Sequence, residues 1–174
     1  LARRATVLNE ERGKGIPTLL LDAGNFAAVL KPEPWEKTGF IFDMMSKLGY
    51  DVVTPGEREL RPGLQDMKAL YAKHPEIKVV SANLQDKSGR RVFPEYTIVE
   101  RGGVRFGITG TMGAVYYDSN VKQNLQAKDD FTFESSEAAL RRVVPELKTK
   151  CDVVVALLHE QVSDGMDLVT KVPG

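Results

Sequence analysis

The chain has 174 residues, of which 42% are hydrophobic and 28% charged, which is typical of a folded globular domain. Lys plus Arg equals Asp plus Glu at 24 each, without a basic cluster, so a nucleic-acid polymer is not expected as a partner. No apolar run approaches the roughly 20 residues of a membrane span. The single cysteine, Cys151, excludes a disulfide within the chain and a cysteine-rich zinc site.

Both ends of the sequence suggest a piece of a longer polypeptide. The chain opens at Leu1 directly in a helical pattern, with neither an initiator Met nor a signal peptide. It closes at Gly174 on a turn of the kind that precedes another strand. We therefore expect residues 1–174 to form a single partial domain.

The first half of the chain alternates predicted helices and strands. Apolar spacing and turn residues predict, in order, a helix over 1–12, a strand over 18–22, a loop over 25–34, a helix over 35–48, a strand over 51–54, a helix over 61–73 and a strand over 77–82. This alternation favours a mainly parallel sheet covered on both faces.

The second half adds an antiparallel portion. The pattern predicts a turn over 86–91, a hairpin of strands 96–100 and 104–109, an irregular stretch over 112–133, a helix from Ser135 or Ser136 to about Lys150, a strand over 152–158 and a last helix. Pro145 is a possible kink in the long helix. The fold class is therefore α/β.

Polar residues follow several of these strands, at the place where open α/β proteins usually build their sites. The four predicted strand ends carry Asp22 and Asn25; Glu57, Arg58 and Glu59; Asn83; and His159 and Glu160. We expect these groups to meet at one rim. The alternative is that polar residues simply terminate the strands.

Other conspicuous residues have structural explanations. His74 precedes Pro75 at a predicted helix end, where an imidazole interacts favourably with the helix dipole. Cys151 lies next to a buried strand and is interpreted as a core residue. The glycines from 102 to 113 fit neither a phosphate-binding loop nor a dinucleotide fingerprint.

The sequence resembles the amino-terminal domain of 5′-nucleotidase-like metallophosphoesterases, in the calcineurin-like superfamily. The resemblance rests on Ala2-Arg3-Arg4 with Thr6, Leu19 to Asn25, Gly49-Tyr50-Asp51, Gly56 to Glu59, Ser81 to Leu84, Gly103 to Gly110 and Leu157-Leu158-His159. It implies a mixed-sheet sandwich flanked by helices, here incomplete. It also implies divalent metal ions (Zn, Mn, Mg or Fe) that clamp a phosphate ester and a nucleophilic water.

The same resemblance implies partners and a location. A nucleotide or another phosphate ester would be the substrate, and a carboxyl-terminal domain of the parent chain would bind it. Such proteins are typically exported, so the resemblance implies a periplasmic or extracellular location.

Three positions depart from the family pattern. Asn25 stands where the family has an aspartate that bridges two metals, and Glu57 replaces an asparagine ligand. Arg58 replaces the histidine that assists the leaving group, so the catalytic role implied for this position falls on a residue that stays protonated near neutral pH. His159 matches a family metal ligand. The resemblance thus implies a metal site of Asn25, Glu57 and His159 that is altered at two positions.

Three functions follow as hypotheses. The first is a 5′-nucleotidase-like phosphoester hydrolase domain with a degenerate two-metal site, inactive as this fragment. The second is a non-catalytic binding or scaffold module in which Arg58 receives an anion or a partner. The third is a single-metal site built from Glu57, Glu59 and His159.

Overall fold

The computed structural model describes residues 2–27, 35–113 and 131–173. Within these ranges the elements in chain order are α1 (Ala2–Gly13), β1 (Leu21–Asp22), α2 (Trp35–Lys47), β2 (Val52–Val53), α3 (Glu57–Leu60), α4 (Leu64–Tyr71), β3 (Lys78–Val79), β4 (Leu84–Asp86), β5 (Tyr96–Arg101), β6 (Val104–Met112), β7 (Phe131–Phe133), α5 (Ser136–Lys148), β8 (Val153–His159) and α6 (Val162–Lys171). The predicted alternation of helices and strands is confirmed in outline.

The strands of the described ranges form three short sheets. Parallel strands in the order β1-β2-β3 make the first sheet. The second has the order β5-β6-β8, with β5 antiparallel and β8 parallel to β6. The third is the antiparallel pair β4-β7. The α/β class is confirmed, whereas the expected mainly parallel sheet is divided among smaller sheets.

The first two sheets pack face to face, and helices cover their outer sides. Val52 of β2 packs with Ile108 of β6 and Leu157 of β8 between the sheets. The next residue, Val53, points the other way into the core formed with α2 and α4, as the alternation of a strand requires. Helix α5 covers the second sheet from its far side. This layering is the helix-flanked sandwich that the resemblance implied.

Several predicted elements have the wrong bounds. The helix expected over 61–73 is the shorter α4, and a separate helix that was not predicted, α3, precedes it and contains the candidate site residues Glu57, Arg58 and Glu59. Gly63 separates them with a φ of 107°, which a residue with a side chain rarely adopts. The first three strands are shorter than predicted, because only two residues of each complete a regular ladder.

The stretch over 112–133 is not wholly irregular. Its end forms β7, which pairs with the unpredicted strand β4 in the register Leu84 to Phe133. Residues 114–130 of this stretch and residues 28–34 of the predicted loop over 25–34 lie outside the described residues.

The elements that deliver the late site residues agree with the prediction. The hairpin β5-β6 is present, and Ser135 caps α5 by accepting a hydrogen bond from the Ala138 N–H at 3.2 Å. Pro145 lies inside α5 without ending it. Among the described residues, no helix combines the length and apolar character needed to span a membrane.

Candidate functional site at the strand ends

Two glycine turns in close contact form the base of the site. Gly24 follows β1 with a φ of 90°, and Asn25 continues the turn with a φ of 63°. Gly56 follows β2 and lies against them: a Cβ added to Gly56 would fall 2.4 Å from Asn25 Oδ1. The absence of a side chain at position 56 therefore lets the Asn25 side chain lie across the start of α3.

Asn25 is fully committed to hydrogen bonds with α3. Its side-chain amide donates to Glu57 Oε1 at 2.6 Å, and its Oδ1 accepts from the Arg58 backbone N–H at 3.1 Å. Its own backbone N–H donates to Glu59 Oε2 at 2.8 Å. Asparagine tolerates the left-handed backbone of this turn, and the side-chain bonds hold it there.

His159 reaches the same place from the end of β8, in the other sheet. Its Nε2 lies 2.5 Å from Glu57 Oε2, and its Nδ1 lies 2.8 Å from the carbonyl oxygen of Ala23. The Ala23 carbonyl oxygen can only accept, so Nδ1 is the donor of that bond, and Nε2 faces a carboxyl group to which a protonated ring would donate. Glu57 and His159 are in salt-bridge contact and have little exposure to solvent.

The pKa shifts of the two partners agree with an ion pair. Burial opposes the charged form of Glu57, but the hydrogen bonds from His159 and Asn25 outweigh it and lower the pKa of Glu57. Burial likewise opposes a charged His159, yet the hydrogen bond to Glu57 raises the pKa of His159 above its ordinary 6.5. Both pKa shifts are in the direction that favours the charged pair.

The Glu59 carboxylate binds backbone N–H groups and does not point to the rim of the sheet. It is fully buried, and its Oε2 accepts from the N–H groups of Asn25 and Gly56, each at 2.8 Å. Its Oε1 accepts from the Ala27 N–H at 2.7 Å. Burial raises the pKa of Glu59 despite these three bonds. The carboxylate fastens the two glycine turns together.

Arg58 lies at the edge of the cluster. Its Nη1 is 3.4 Å from the carbonyl oxygen of Asn25, and its Nε is 4.0 Å from Glu57 Oε1. The guanidinium is about a third exposed. It adds positive charge beside Glu57, and a guanidinium cannot serve as a general acid near neutral pH.

One of the four predicted strand ends, Asn83, points elsewhere, and so does Glu160 of the end that also carries His159, so the expected single rim is only partly formed. The Asn83 amide donates to the carbonyl oxygens of Met112 at 2.7 Å and Glu134 at 3.1 Å, and is buried. The Glu160 carboxylate accepts from the Ser136 hydroxyl. Asn83 thus joins the end of β6 to the segment before α5, and Glu160 joins the end of β8 to the first residue of α5.

The structure places His74 and Cys151 in contacts that support the fold and not in the candidate site. His74 lies between Asp43, at 2.8 Å, and Glu76, at 3.0 Å, and not only at a helix end. Cys151 is half-buried against the core cluster of α5, with its Sγ 3.0 Å from the Leu147 carbonyl oxygen.

The site also uses groups that the sequence did not single out. The Ala23 carbonyl oxygen orients His159, and no residue type announces such a role for a main-chain atom. The bond from Asn25 to Glu57 crosses 32 residues. Its one sequence signal is the repetition of a glycine turn after each of two adjacent strands.

The described side chains do not form an open set of ligands for the divalent ions that the resemblance implies. His159 Nδ1 faces the Ala23 carbonyl oxygen, as in many metal-binding histidines, but Nε2 lies against the Glu57 carboxyl group. Both oxygens of Glu59 are taken by backbone N–H groups, which also disfavours the single-metal alternative. Across 2–27, 35–113 and 131–173, no group of three or more His, Cys, Asp or Glu side chains is arranged to hold a metal.

Known proteins are similar to this chain in sequence and in fold. No family model matches the chain. A 5′-nucleotidase from Vibrio cholerae is 26% identical over 168 residues, which are 91% of this chain and 29% of that protein. A snake venom 5′-nucleotidase from Crotalus adamanteus is 28% identical over the whole chain and 30% of its own length. The chain thus spans about 30% of the length of these relatives.

The solved structures agree. A calcineurin-like phosphoesterase from Bacillus subtilis superposes on the whole chain, and on 60% of its own, with a TM-score of 0.77 at 23% identity. The protein therefore has the calcineurin-like phosphoesterase fold. In sequence it is a homologue of the 5′-nucleotidases, which confirms the resemblance.

Proposed function

We propose that this chain is a 5′-nucleotidase-like phosphoesterase domain with a degenerate two-metal centre, and that it hydrolyses no phosphate ester by itself. One observation carries the proposal: the Glu57 carboxylate is bonded to Asn25 on one oxygen and to His159 on the other. The side chains that the resemblance assigns to metal binding are thus bonded to one another.

The charges of the centre support the same conclusion. An aspartate bridging two dications supplies negative charge to both, and the neutral amide of Asn25 supplies none. The carboxyl group nearest to it, on Glu57, is in salt-bridge contact with His159 and has Arg58 beside it. A dication placed here would compete with His159 for Glu57 and would meet the positive guanidinium of Arg58.

Arg58 removes a second part of the expected chemistry. A general acid must lose its proton to the leaving group and regain it, which calls for a pKa near the working pH. The guanidinium at position 58 stays protonated throughout that range. As a catalytic residue Arg58 is therefore limited to holding negative charge.

The length of the relatives supports a larger parent protein. We propose that residues 1–174 are one partial domain, that the parent chain has a carboxyl-terminal domain, and that this domain binds a nucleotide or another phosphate ester. A periplasmic or extracellular location belongs to the same proposal. All four rest on the homology to 5′-nucleotidases that are roughly three times as long.

Metal content and turnover of the full-length gene product test the proposal. The protein is dialysed against metal-free buffer, analysed by elemental mass spectrometry, and assayed with 5′-nucleoside monophosphates and p-nitrophenyl phosphate. The Vibrio cholerae relative, treated identically, is the control. We expect less than one ion per chain and no turnover. About two ions per chain with metal-dependent hydrolysis would overturn the proposal.

A further inference from the structure

Asn25, Glu57 and His159 lie at or just after the ends of three different strands, of which β1 and β2 pair with each other and β8 pairs with neither. Asn25 follows β1, Glu57 opens α3 after β2, and His159 ends β8. Strands β1 and β2 lie in one sheet and β8 lies in the other. Every bond from His159 to this cluster therefore crosses from one sheet to the other.

Each polar side-chain atom of Glu57 and of Asn25 has a hydrogen-bond partner. Glu57 offers two acceptor oxygens, one for the Asn25 amide at 2.6 Å and one for His159 Nε2 at 2.5 Å. Asn25 in turn accepts from the Arg58 N–H through Oδ1. A carboxylate at 25 would face the carboxylate at 57 with no donor between them, and a glutamine at 57 would offer one acceptor oxygen where the glutamate offers two. Each single change therefore removes one of the hydrogen bonds that Glu57 accepts.

We infer that Asn25, Glu57 and His159 form a metal-independent tie that fastens the two sheets at their carboxyl ends. The inference rests on the proposed function, because it gives a structural role to a centre that no longer holds two metals. A typical hydrogen bond adds little net stability, but removing one partner leaves the other polar group buried and unsatisfied at a larger cost. The tie is therefore sensitive to single changes and tolerant of a matched pair.

A double-mutant cycle in metal-free buffer tests the tie on the full-length protein. Asn25→Asp brings two carboxylates together, and Glu57→Gln leaves one acceptor oxygen for two partners, the Asn25 amide and His159 Nε2. We expect each to lower the midpoint of thermal unfolding, Tm, by about 6 °C or more for a domain of this size. The double variant Asn25→Asp/Glu57→Gln restores one acid and one amide, and is expected to lose several degrees less than the sum.

Glu146→Gln is the matched control. Glu146 also accepts from two side chains, Lys150 and Tyr96, but on the surface. Surface pairs contribute little, so we expect its Tm to stay within about 4 °C of the parent. Additive losses in the cycle, or losses no larger than that of the control, would overturn the tie.

Chelation supplies a measurement that needs no variant. The Tm of the unaltered protein is expected to be the same within about 1 °C before and after exhaustive treatment with EDTA, since a bound ion would add stability by mass action. A fall of several degrees would overturn the metal-independent tie. The proposed lack of hydrolysis is tested separately, by the turnover assay. If the two substitutions are non-additive in Tm but the protein hydrolyses nucleotides, the tie is supported and the proposed function is rejected.

Discussion

His159 Nε2 lies 2.5 Å from Glu57 Oε2, although 102 residues separate them along the chain. The contact closes a cluster in which Asn25 bonds the other oxygen of the same carboxylate. In a two-metal phosphoesterase these positions would point their lone pairs at metal ions. Here they are bonded to one another, so the fold of a phosphoesterase is kept while the ligand set is internally satisfied.

Restoring the family residues is expected to restore metal binding. In Asn25→Asp/Glu57→Asn/Arg58→His, the bridging aspartate returns, His159 loses its carboxylate partner and a second imidazole replaces the guanidinium. We expect bound divalent metal to rise from less than one ion per chain by at least one, measured by elemental mass spectrometry after dialysis. Arg58→Lys, which adds no ligand, is the control and should leave the metal content unchanged.

Gly56 is expected to reject even a methyl group. A Cβ at this position would lie 2.4 Å from Asn25 Oδ1 and 2.6 Å from its backbone nitrogen, both far inside contact distance. We expect Gly56→Ala to lower the free energy of unfolding by about 3 kcal/mol, the upper part of the range for overpacking. Denaturant titration measures the difference.

The control for this substitution is Gly13→Ala. Gly13 ends helix α1, and a Cβ added there meets no atom within 4 Å. Alanine favours helix over glycine by up to about 1 kcal/mol, so we expect this variant to be unchanged or slightly more stable. Equal effects of the two substitutions would contradict the close packing of the glycine turns.

Glu59 is expected to be more important for stability than any exposed acid. In Glu59→Gln the side-chain NH₂ replaces one acceptor oxygen and faces a backbone N–H of the glycine turns, either that of Ala27 or those of Asn25 and Gly56. A buried donor left unsatisfied costs about 1–3 kcal/mol. Glu137→Gln, on the exposed surface of α5, should cost well under 1 kcal/mol. A smaller loss at 59 than at 137 would reject the role assigned to Glu59.

The contacts of His74 with Asp43 and Glu76 are expected to make the free energy of unfolding depend on pH. The hydrogen bond to Asp43 is the main reason that the pKa of His74 is raised above 6.5, and Glu76 adds to it. A raised pKa means that the folded state binds the proton more tightly, so the stabilisation is complete below pH 6.5 and is lost as pH rises through the raised value.

Urea unfolding of the parent protein and of His74→Gln at several pH values from 5.5 to 8.5 measures this effect. The stability difference between parent and variant is expected to shrink as pH rises. A difference that stays constant over this range would show that His74 does not titrate between Asp43 and Glu76.

Much of the architecture was predictable because it depends on local pattern. The hairpin β5-β6, the capped helix α5 and the apolar strand β8 each follow from apolar spacing and turn residues within a few positions. The resemblance to 5′-nucleotidases and the exchanged residues at positions 25, 57 and 58 are also legible in the sequence. Strand β4 was missed because it is three residues long and pairs with β7 about 45 residues later.

The candidate site was predictable in its members and not in its contacts. The sequence by itself determined which polar residues follow the strands, since a glycine turn after an apolar run marks a strand end. Only the tertiary structure decided that Asn83 and Glu160 turn away, that Glu59 is buried beneath the backbone, and that Glu57 meets His159. The physical reason is that a hydrogen bond between distant residues depends on how the two sheets pack, to within a fraction of an ångström, and no local pattern contains that distance.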